Sequence, residues 1–273
     1  MPLTTFTDRI VVVTGAGSGI GRALALAFAA EGAHLVLADL DETAMAGVAR
    51  SIADRGRQVL LVRADVTDLA QVRALADRAF ARFGAVHVLC NNAGVVVSGG
   101  LEHATLQDWQ WLIGVNLWGV IHGLLAFLPR MIAQKTAGHV VNTASMAGLV
   151  ASRGLGVYNT TKYAVVGLSE TLAKDLRPYD IGVSVVCPMG VATGIRDAER
   201  MRPATLRNPA GPHPAPVELI GRTLTPDEVA AQTVAAVRAG ELYVITHDEA
   251  LEPLRRRAQR LDAAVPRRRP QGS

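Results

Sequence analysis

Six short apolar runs recur along the first two thirds of the chain: IVVVTG at 10–15, HLVLAD at 34–39, QVLLVRAD at 58–65, VHVLCN at 86–91, HVVNTAS at 139–145 and GVSVVCP at 182–188. A seventh, ELYVIT, follows at 241–246. Largely continuous apolar runs of this kind suit strands covered on both faces. Between them lie segments with the length and the Ala, Leu, Arg and Glu content of helices, for example 20–31, 41–55 and 68–83. Strand–helix alternation at this spacing predicts an α/β fold, a doubly wound parallel sheet of about seven strands with helices on both faces. No repeat or second domain interrupts it, so residues 1–254 are expected to form a single domain. Right-handed crossovers leave the carboxyl ends of the strands along one edge, where ligands bind in such sheets.

Two stretches break the rhythm. Segment 194–225 holds five prolines and little strand pattern, and it leaves the carboxyl end of a strand. A long loop in that position reads as a mobile flap beside a site. The run LIGVNLWGVIHGLLAFL at 112–128 reaches only the lower length of a membrane span and carries Asn116 and His122, so it is read as a helix buried in protein.

Charge changes the picture less than the overall pI of 9.4 implies. Residues 255–273 hold seven arginines and one acid, and without them 21 basic residues face 23 acidic ones. The basicity belongs to an Arg-rich C-terminal tail rather than a folded face, so no nucleic acid partner is expected, and no membrane. Cys90 and Cys187 each close an apolar run and read as buried thiols of a reducing compartment. With no secretory signal visible in MPLTTFTDR, a cytoplasmic location is expected.

The candidate chemistry starts at the first strand-to-helix turn, TGAGSGIG, Thr14 to Gly21. Glycines let the backbone turn sharply and approach a ligand, and the free N–H groups of a helix start attract phosphate. The spacing is G-x-x-x-G-x-G through Gly15, Gly19 and Gly21, not G-x-G-x-x-G. Asp39 closes the second strand, eighteen residues past Gly21. A carboxylate there accepts hydrogen bonds from both adenosine ribose hydroxyls and repels a 2′-phosphate. It could instead cap the helix beginning DETAMAGVAR. Leu40 is not a cation, and Ser18 stands where an arginine could bind that phosphate, so NAD is favoured over NADP. Asp65 with Val66 ends the third strand near an adenine, and the small-residue turn NNAG, 91–94, can lie against the nucleotide.

Gly15-x-x-x-Gly19-Ile20-Gly21, Asn91-Asn92-Ala93-Gly94, Asn116, Ser145 and Tyr158-x-x-x-Lys162 together resemble the short-chain dehydrogenase/reductase superfamily over roughly residues 8–190, with Ser145 thirteen positions before Tyr158. The resemblance implies a Rossmann-type domain, a nicotinamide cofactor and a homotetramer or homodimer. It implies Tyr158 as general acid/base and Lys162 as its electrostatic partner and ribose ligand. Ser145 would polarise the substrate carbonyl, and Asn116 would hold a water of a proton relay. It adds cofactor contacts from Asp65, Val66, Asn91, Asn92, Ala93, Gly94, Pro188, Gly190, Val191 and Thr193. The family commonly has Pro-Gly after the sixth strand; here Met189 follows Pro188 and its role stays open, while Thr193 keeps its spacing.

A Tyr and a Lys four apart on a helix share a face. A phenol of ordinary pKa is a poor base at pH 7. An ammonium about 5 Å away at an effective dielectric of about 20 favours phenolate by roughly 3 kcal/mol, or about two pKa units. No G-x-S-x-G surrounds Ser145 and no H-E-x-x-H is present, which argues against a serine hydrolase and a metal site.

Substrate-side candidates are Val96, Val97, Ser98, Met146, Leu149 to Ala151 and the flap, a mostly apolar set without an obvious cation for a carboxylate. The expected activity is NAD-dependent hydride transfer to or from a neutral, hydrophobic secondary alcohol or ketone, bulky and aromatic ones included. The stretch LYVITHDEAL, 242–251, resembles a branch with dehydrogenases for bulky ketones and lignin-dimer Cα-alcohols. The alternatives are an NADP-linked ketoreductase and a non-catalytic nucleotide-sensing scaffold.

Overall fold

β1 (Ile10–Thr14) is buried along its whole length. In the computed structural model, which describes residues 3–208 and 221–266, it lies near the middle of a parallel sheet. The other strands are β2 (His34–Asp39), β3 (Val59–Arg63), β4 (Val88–Asn91), β5 (Gly138–Thr143), β6 (Ile181–Val186) and the short β9 (Tyr243–Val244). Their order is β3-β2-β1-β4-β5-β6-β9, and every pairing is parallel.

Helices α1 (Gly19–Ala30), α2 (Glu42–Ala53) and α7 (Pro226–Ala239) cover one face, sharing a core through Leu24, Phe28, Val48, Ile52, Val229 and Val237. On the other face α3 (Leu69–Phe83) and α5 (Gly119–Ala133) bury residues such as Leu75, Ala79, Phe127 and Met131, and α6 (Gly156–Asp175) packs the partly buried Leu172 against them. Local chemistry sets several of the helix ends. Asp41 accepts from Ala44 N at the start of α2, Asp68 accepts from Ala70 N at the start of α3, and Thr225 with Glu228 forms a capping box on α7.

The long apolar segment is α4 (Leu106–Leu112), a π-helical stretch Ile113–Trp118, and α5, running on without a break. It is long and apolar enough to cross a membrane, yet half of its most apolar window is buried in the protein. Leu106, Trp118 and Leu125 stay exposed.

The flap is more ordered than its sequence implies. Its first part forms two short 3₁₀ turns, Gly194–Met201 and Ala204–Leu206. Its base is pinned by a two-residue parallel ladder of β7 (Gly190–Val191) with β8 (Thr223–Leu224). Residues 209–220 of the expected flap, and 267–273 of the Arg-rich tail, lie outside the described residues. The remainder of that tail starts inside helix α8 (Leu251–Ala264), which runs across residue 254.

Candidate active site

The strand order reverses between β1 and β4, so the turns leaving these strands diverge and open a crevice at their carboxyl ends. A cavity of about 2040 Å³ begins there and continues under the flap. At its nucleotide end Gly15 (φ 65°) and Gly19 (φ 51°) take the left-handed conformation that a glycine tolerates without strain. A Cβ on Gly21 would stand 2.0 Å from the Gly15 carbonyl oxygen, and one on Gly15 would stand 2.9 Å from the Ala93 Cα. Only glycines let the two turns close to this distance and keep the floor bare for a pyrophosphate. Thr14, which the sequence reading passed over, joins them: its hydroxyl accepts from Asn92 N and Ala93 N and donates to Cys90 O.

Asp39 is not the cap of α2, since Asp41 takes that place. One Asp39 oxygen accepts from Gly17 N at 2.8 Å and the other from Asp41 N at 3.1 Å. The carboxylate is thereby held at the cavity wall, with lone pairs left for a ribose. Leu40, Ser18, Ile20, Asp65 and Val66 line the same end. Buried His122 fixes the Val66 carbonyl through Nδ1 at 2.8 Å, a support visible in sequence only as a polar interruption of an apolar helix. These features fit a dinucleotide: a bare glycine floor, a carboxylate fixed at ribose depth and an apolar adenine wall.

Asn92, Ala93, Gly94, Pro188, Gly190, Val191 and Thr193 also reach the cavity. Asn91 does not. Strand alternation turns its side chain to the opposite face, where Nδ2 donates to Asn142 Oδ1 at 2.9 Å. Leu149 likewise packs against the core of Val165, Val166 and Val185 instead of lining the cavity, as Met146, Val150 and Ala151 do.

At the inner end α6 carries Tyr158 and Lys162 one turn apart, the Lys162 Nζ lying 5.6 Å from the phenol ring centroid. Lys162 is buried and donates to Thr143 O at 2.8 Å. Burial pushes its pKa down to about 8. Burial also pushes the Tyr158 phenol up to about 12, opposed by the facing Ser145 hydroxyl, which pulls it down, and reinforced by Cys187. Desolvation, which the charge of the ammonium alone leaves out, moves the phenol of the protein alone the opposite way to that expected. Ser145 accepts from Ala147 N at 3.1 Å and donates to Pro188 O at a long 3.4 Å, a bond cheaply exchanged for one to a substrate oxygen.

Asn116 stands behind the cavity wall on the π-helical stretch. Its carboxamide accepts from Val95 N at 2.8 Å and donates to Val95 O and Thr161 Oγ1, tying the turn after β4 to α6. A Cβ on Gly94 would lie 3.4 Å from Asn116 Oδ1 and 3.5 Å from Lys162 Nζ, ordinary contacts that place this turn directly against both groups.

Two further groups were missed in the sequence. His247, inside LYVITHDEAL, is buried; its Nδ1 accepts from Met189 N at 3.4 Å, so Nε2 carries the proton and donates to Gly190 O at 3.1 Å. It braces the Pro188–Gly190 bend at which Met189 stands. Arg202 on the flap forms a buried ion pair with Asp108 of α4, lies 4.5 Å over the Trp111 ring, and donates to Leu206 O at 3.2 Å. Asn208 Nδ2 adds a 2.9 Å bond to Asp108, whose carboxyl stays below its ordinary pKa: burial raises it, but hydrogen bonds from Arg202, Thr105 and Asn208 outweigh that. The expected lining without a cation also needs correction, because Arg153, Arg196, Arg200, Arg207 and Arg256 reach the substrate half. They come from a proline-rich flap, a loop and the tail, and only the fold brings those together. Among the described residues no cluster of His, Cys, Asp or Glu could hold a metal.

A family profile described as short chain dehydrogenase matches residues 9–203. The chain is 34% identical over 256 residues to a "CLA biosynthesis dehydrogenase/reductase" of Lactiplantibacillus plantarum, covering 89% of this chain and 90% of the relative. It is 33% identical over 272 residues to a "C alpha-dehydrogenase" of Sphingobium sp. strain SYK-6, covering 96% and 88%. Among solved structures, a short chain dehydrogenase/reductase from Burkholderia phymatum in complex with NAD superimposes with a TM-score of 0.90 at 42% identity, covering 99% of this chain and all of that one.

Proposed function

The chain belongs to the short-chain dehydrogenase/reductase superfamily, and from that premise we propose that it is an NAD-dependent alcohol dehydrogenase. In this reading it moves a hydride between nicotinamide and a hydrophobic secondary alcohol or the matching ketone. The observation that carries it is one continuous cavity with Asp39 at one end and the Tyr158 phenol, the Ser145 hydroxyl and the Lys162 ammonium at the other. Support comes from the inner lining, with Val95, Val97, Trp111, Leu155 and Val157 beside Tyr158. The NAD held by the Burkholderia structure and the C alpha-dehydrogenase activity in the name of the Sphingobium relative point the same way.

The bound nicotinamide would supply hydride exchange. Gly15 to Gly21, Asp39, Asp65 and Thr193 would hold the cofactor in the cavity that Tyr158 also lines. For ketone reduction the neutral phenol donates its proton to the carbonyl oxygen while Ser145 donates a hydrogen bond to the same oxygen. For alcohol oxidation Tyr158 must first lose its proton, and the Lys162 ammonium on the same helix face stabilises the phenolate. Asn116, bonded to Val95 and Thr161, would hold the turn after β4 against the helix that carries both groups.

The test is a panel of secondary alcohols and ketones with NAD and NADP, followed by nicotinamide absorbance, on the wild type and Tyr158→Phe. General acid/base groups contribute about 10²–10⁴-fold, so Tyr158→Phe is expected to lower kcat/KM by that factor. An unchanged rate overturns the mechanism, and a strong NADP preference overturns the role given to Asp39.

A further inference from the structure

We infer that the substrate carries an anionic group, of carboxylate type, at a distance from its reacting carbinol, and that Arg153, Arg200 and Arg207 at the mouth of the cavity bind it. The inference rests on the reading of the cavity as an alcohol-oxidising site. All three arginines line the substrate half. What sets them apart is the state of the carboxylates around them. Asp108 is occupied by Arg202 and Asn208, and Glu199 by Arg202 at 3.2 Å. Glu249 accepts from Arg222 N at 3.1 Å and pairs with its guanidinium at 3.9 Å. Arg256, also at the mouth, pairs with Glu252 at 3.2 Å. Among the described residues, Arg153, Arg200 and Arg207 form no ion pair.

The buried clasp is the cause. Arg202 draws Asp108 and Glu199 to itself, and among the described residues neither acid is shared with its neighbours at positions 200 and 207. Arg153 reaches the same cavity from a separate segment, a loop tied down where Gly99 N donates to Gly154 O at 2.8 Å. The charge along the cavity is therefore graded. Its adenosine end carries Asp39, Asp41 and Asp65, while the mouth carries unmatched guanidinium groups. A molecule with an apolar middle and one anionic end is drawn in with its anion at the mouth and its other end toward Tyr158. Guanidinium suits a carboxylate because its donors match both oxygens. The arginines are exposed, so each contact alone is weak, and selectivity comes from several acting on one group.

The experiment compares a benzylic secondary alcohol bearing a para carboxylate with its methyl ester, and a medium-chain fatty acid hydroxylated on its penultimate carbon with its methyl ester. With NAD at low salt, the carboxylate of at least one pair is expected to show a KM about fivefold or more below its ester, corresponding to about 1 kcal/mol. High salt should shrink that ratio, and Arg153→Gln or the double change Arg200→Gln/Arg207→Gln should bring it close to one. Equal KM values for acid and ester in both pairs, with oxidation of both, overturn the inference and leave the alcohol dehydrogenase reading standing. If no alcohol is oxidised, that reading fails instead. Calorimetric titration of decanoate against methyl decanoate then still decides the present point: tighter decanoate binding that the double variant abolishes supports it, and equal binding overturns it.

Discussion

At the scale of single residues, the decisive pair is Tyr158 and Lys162, and the two are shifted by the same cause in opposite directions. Burial favours the neutral form of each, raising the phenol to about 12 and lowering the ammonium to about 8. For the phenol, kcat/KM for oxidation is expected to climb with pH above neutrality, because the ionised form is the base, while reduction, which uses the neutral phenol, stays level until the pH nears 12. The lysine acts on stability instead. Below about pH 8 it is charged in both folded and unfolded states and the protein bears the full cost of burying that charge. Between about 8 and the ordinary value of 10.5 it is neutral when folded but protonates on unfolding, so its contribution to stability grows. Replacing Lys162 with Met removes this titration whatever fixed offset follows from the lost bond to Thr143 O. The difference in Tm, wild type minus variant, should therefore move in favour of wild type from pH 8 to 10.5, as followed by circular dichroism. A flat difference would show that Lys162 keeps an ordinary pKa in the folded protein.

At the scale of elements, the flap depends on the clasp between Arg202 and Asp108. Removing one partner of a buried pair typically costs about 3–5 kcal/mol, because the other charge is left desolvated. The flap is bounded by β7 and β8, so that cost is expected to fall on the flap before the sheet. Arg202→Met should raise KM more than it lowers kcat, and should open the flap arginines to trypsin while β1 to β6 stay resistant. Restoring part of the KM with Asp108→Leu in the same chain would separate charge from packing; wild-type resistance and KM in Arg202→Met would show that the flap does not rest on this pair. The clasp also marks the limit of what the chain discloses in one dimension. The six principal strands and the glycine turn were legible because each is set by neighbours in sequence: contiguous apolar runs, and a backbone conformation tolerated by few residues but glycine. Asn91 was misplaced because its direction depends on the strand phase, and a single residue of phase reverses the face. Arg202 with Asp108, His247 with Gly190, and the arginines at the mouth lie 94, 57 and more positions apart or on segments without periodicity, so no local pattern announces them. The depth that sets the Tyr158 pKa is a property of the folded whole.

At the scale of the molecule, the long apolar segment of α4, the π-helical stretch and α5 presents Leu106, Trp118 and Leu125 to solvent at 67%, 49% and 52% exposure. One side of this segment is spent on the sheet, where Phe127 and Met131 are buried. The other side leaves these three side chains largely uncovered among the described residues, and large apolar groups gathered along one helical segment mark a contact surface. A second copy of the chain offers the same strip, and a two-fold axis lays it against itself without leaving an open end, which favours a homodimer or a tetramer made from two of them. An interface of standard size buries about 800 Å² on each partner, more than three side chains supply, so the neighbouring polar rim of α4 and α5 must take part. Light scattering coupled to size exclusion at micromolar concentration is expected to give a mass two or four times that of the 28.8 kDa chain. Leu125→Glu places two like charges near the axis and should shift that mass toward the monomer, leaving the far-ultraviolet dichroism of the fold in place. A wild-type monomer at that concentration would instead leave the strip without a self-partner and overturn the symmetric assembly.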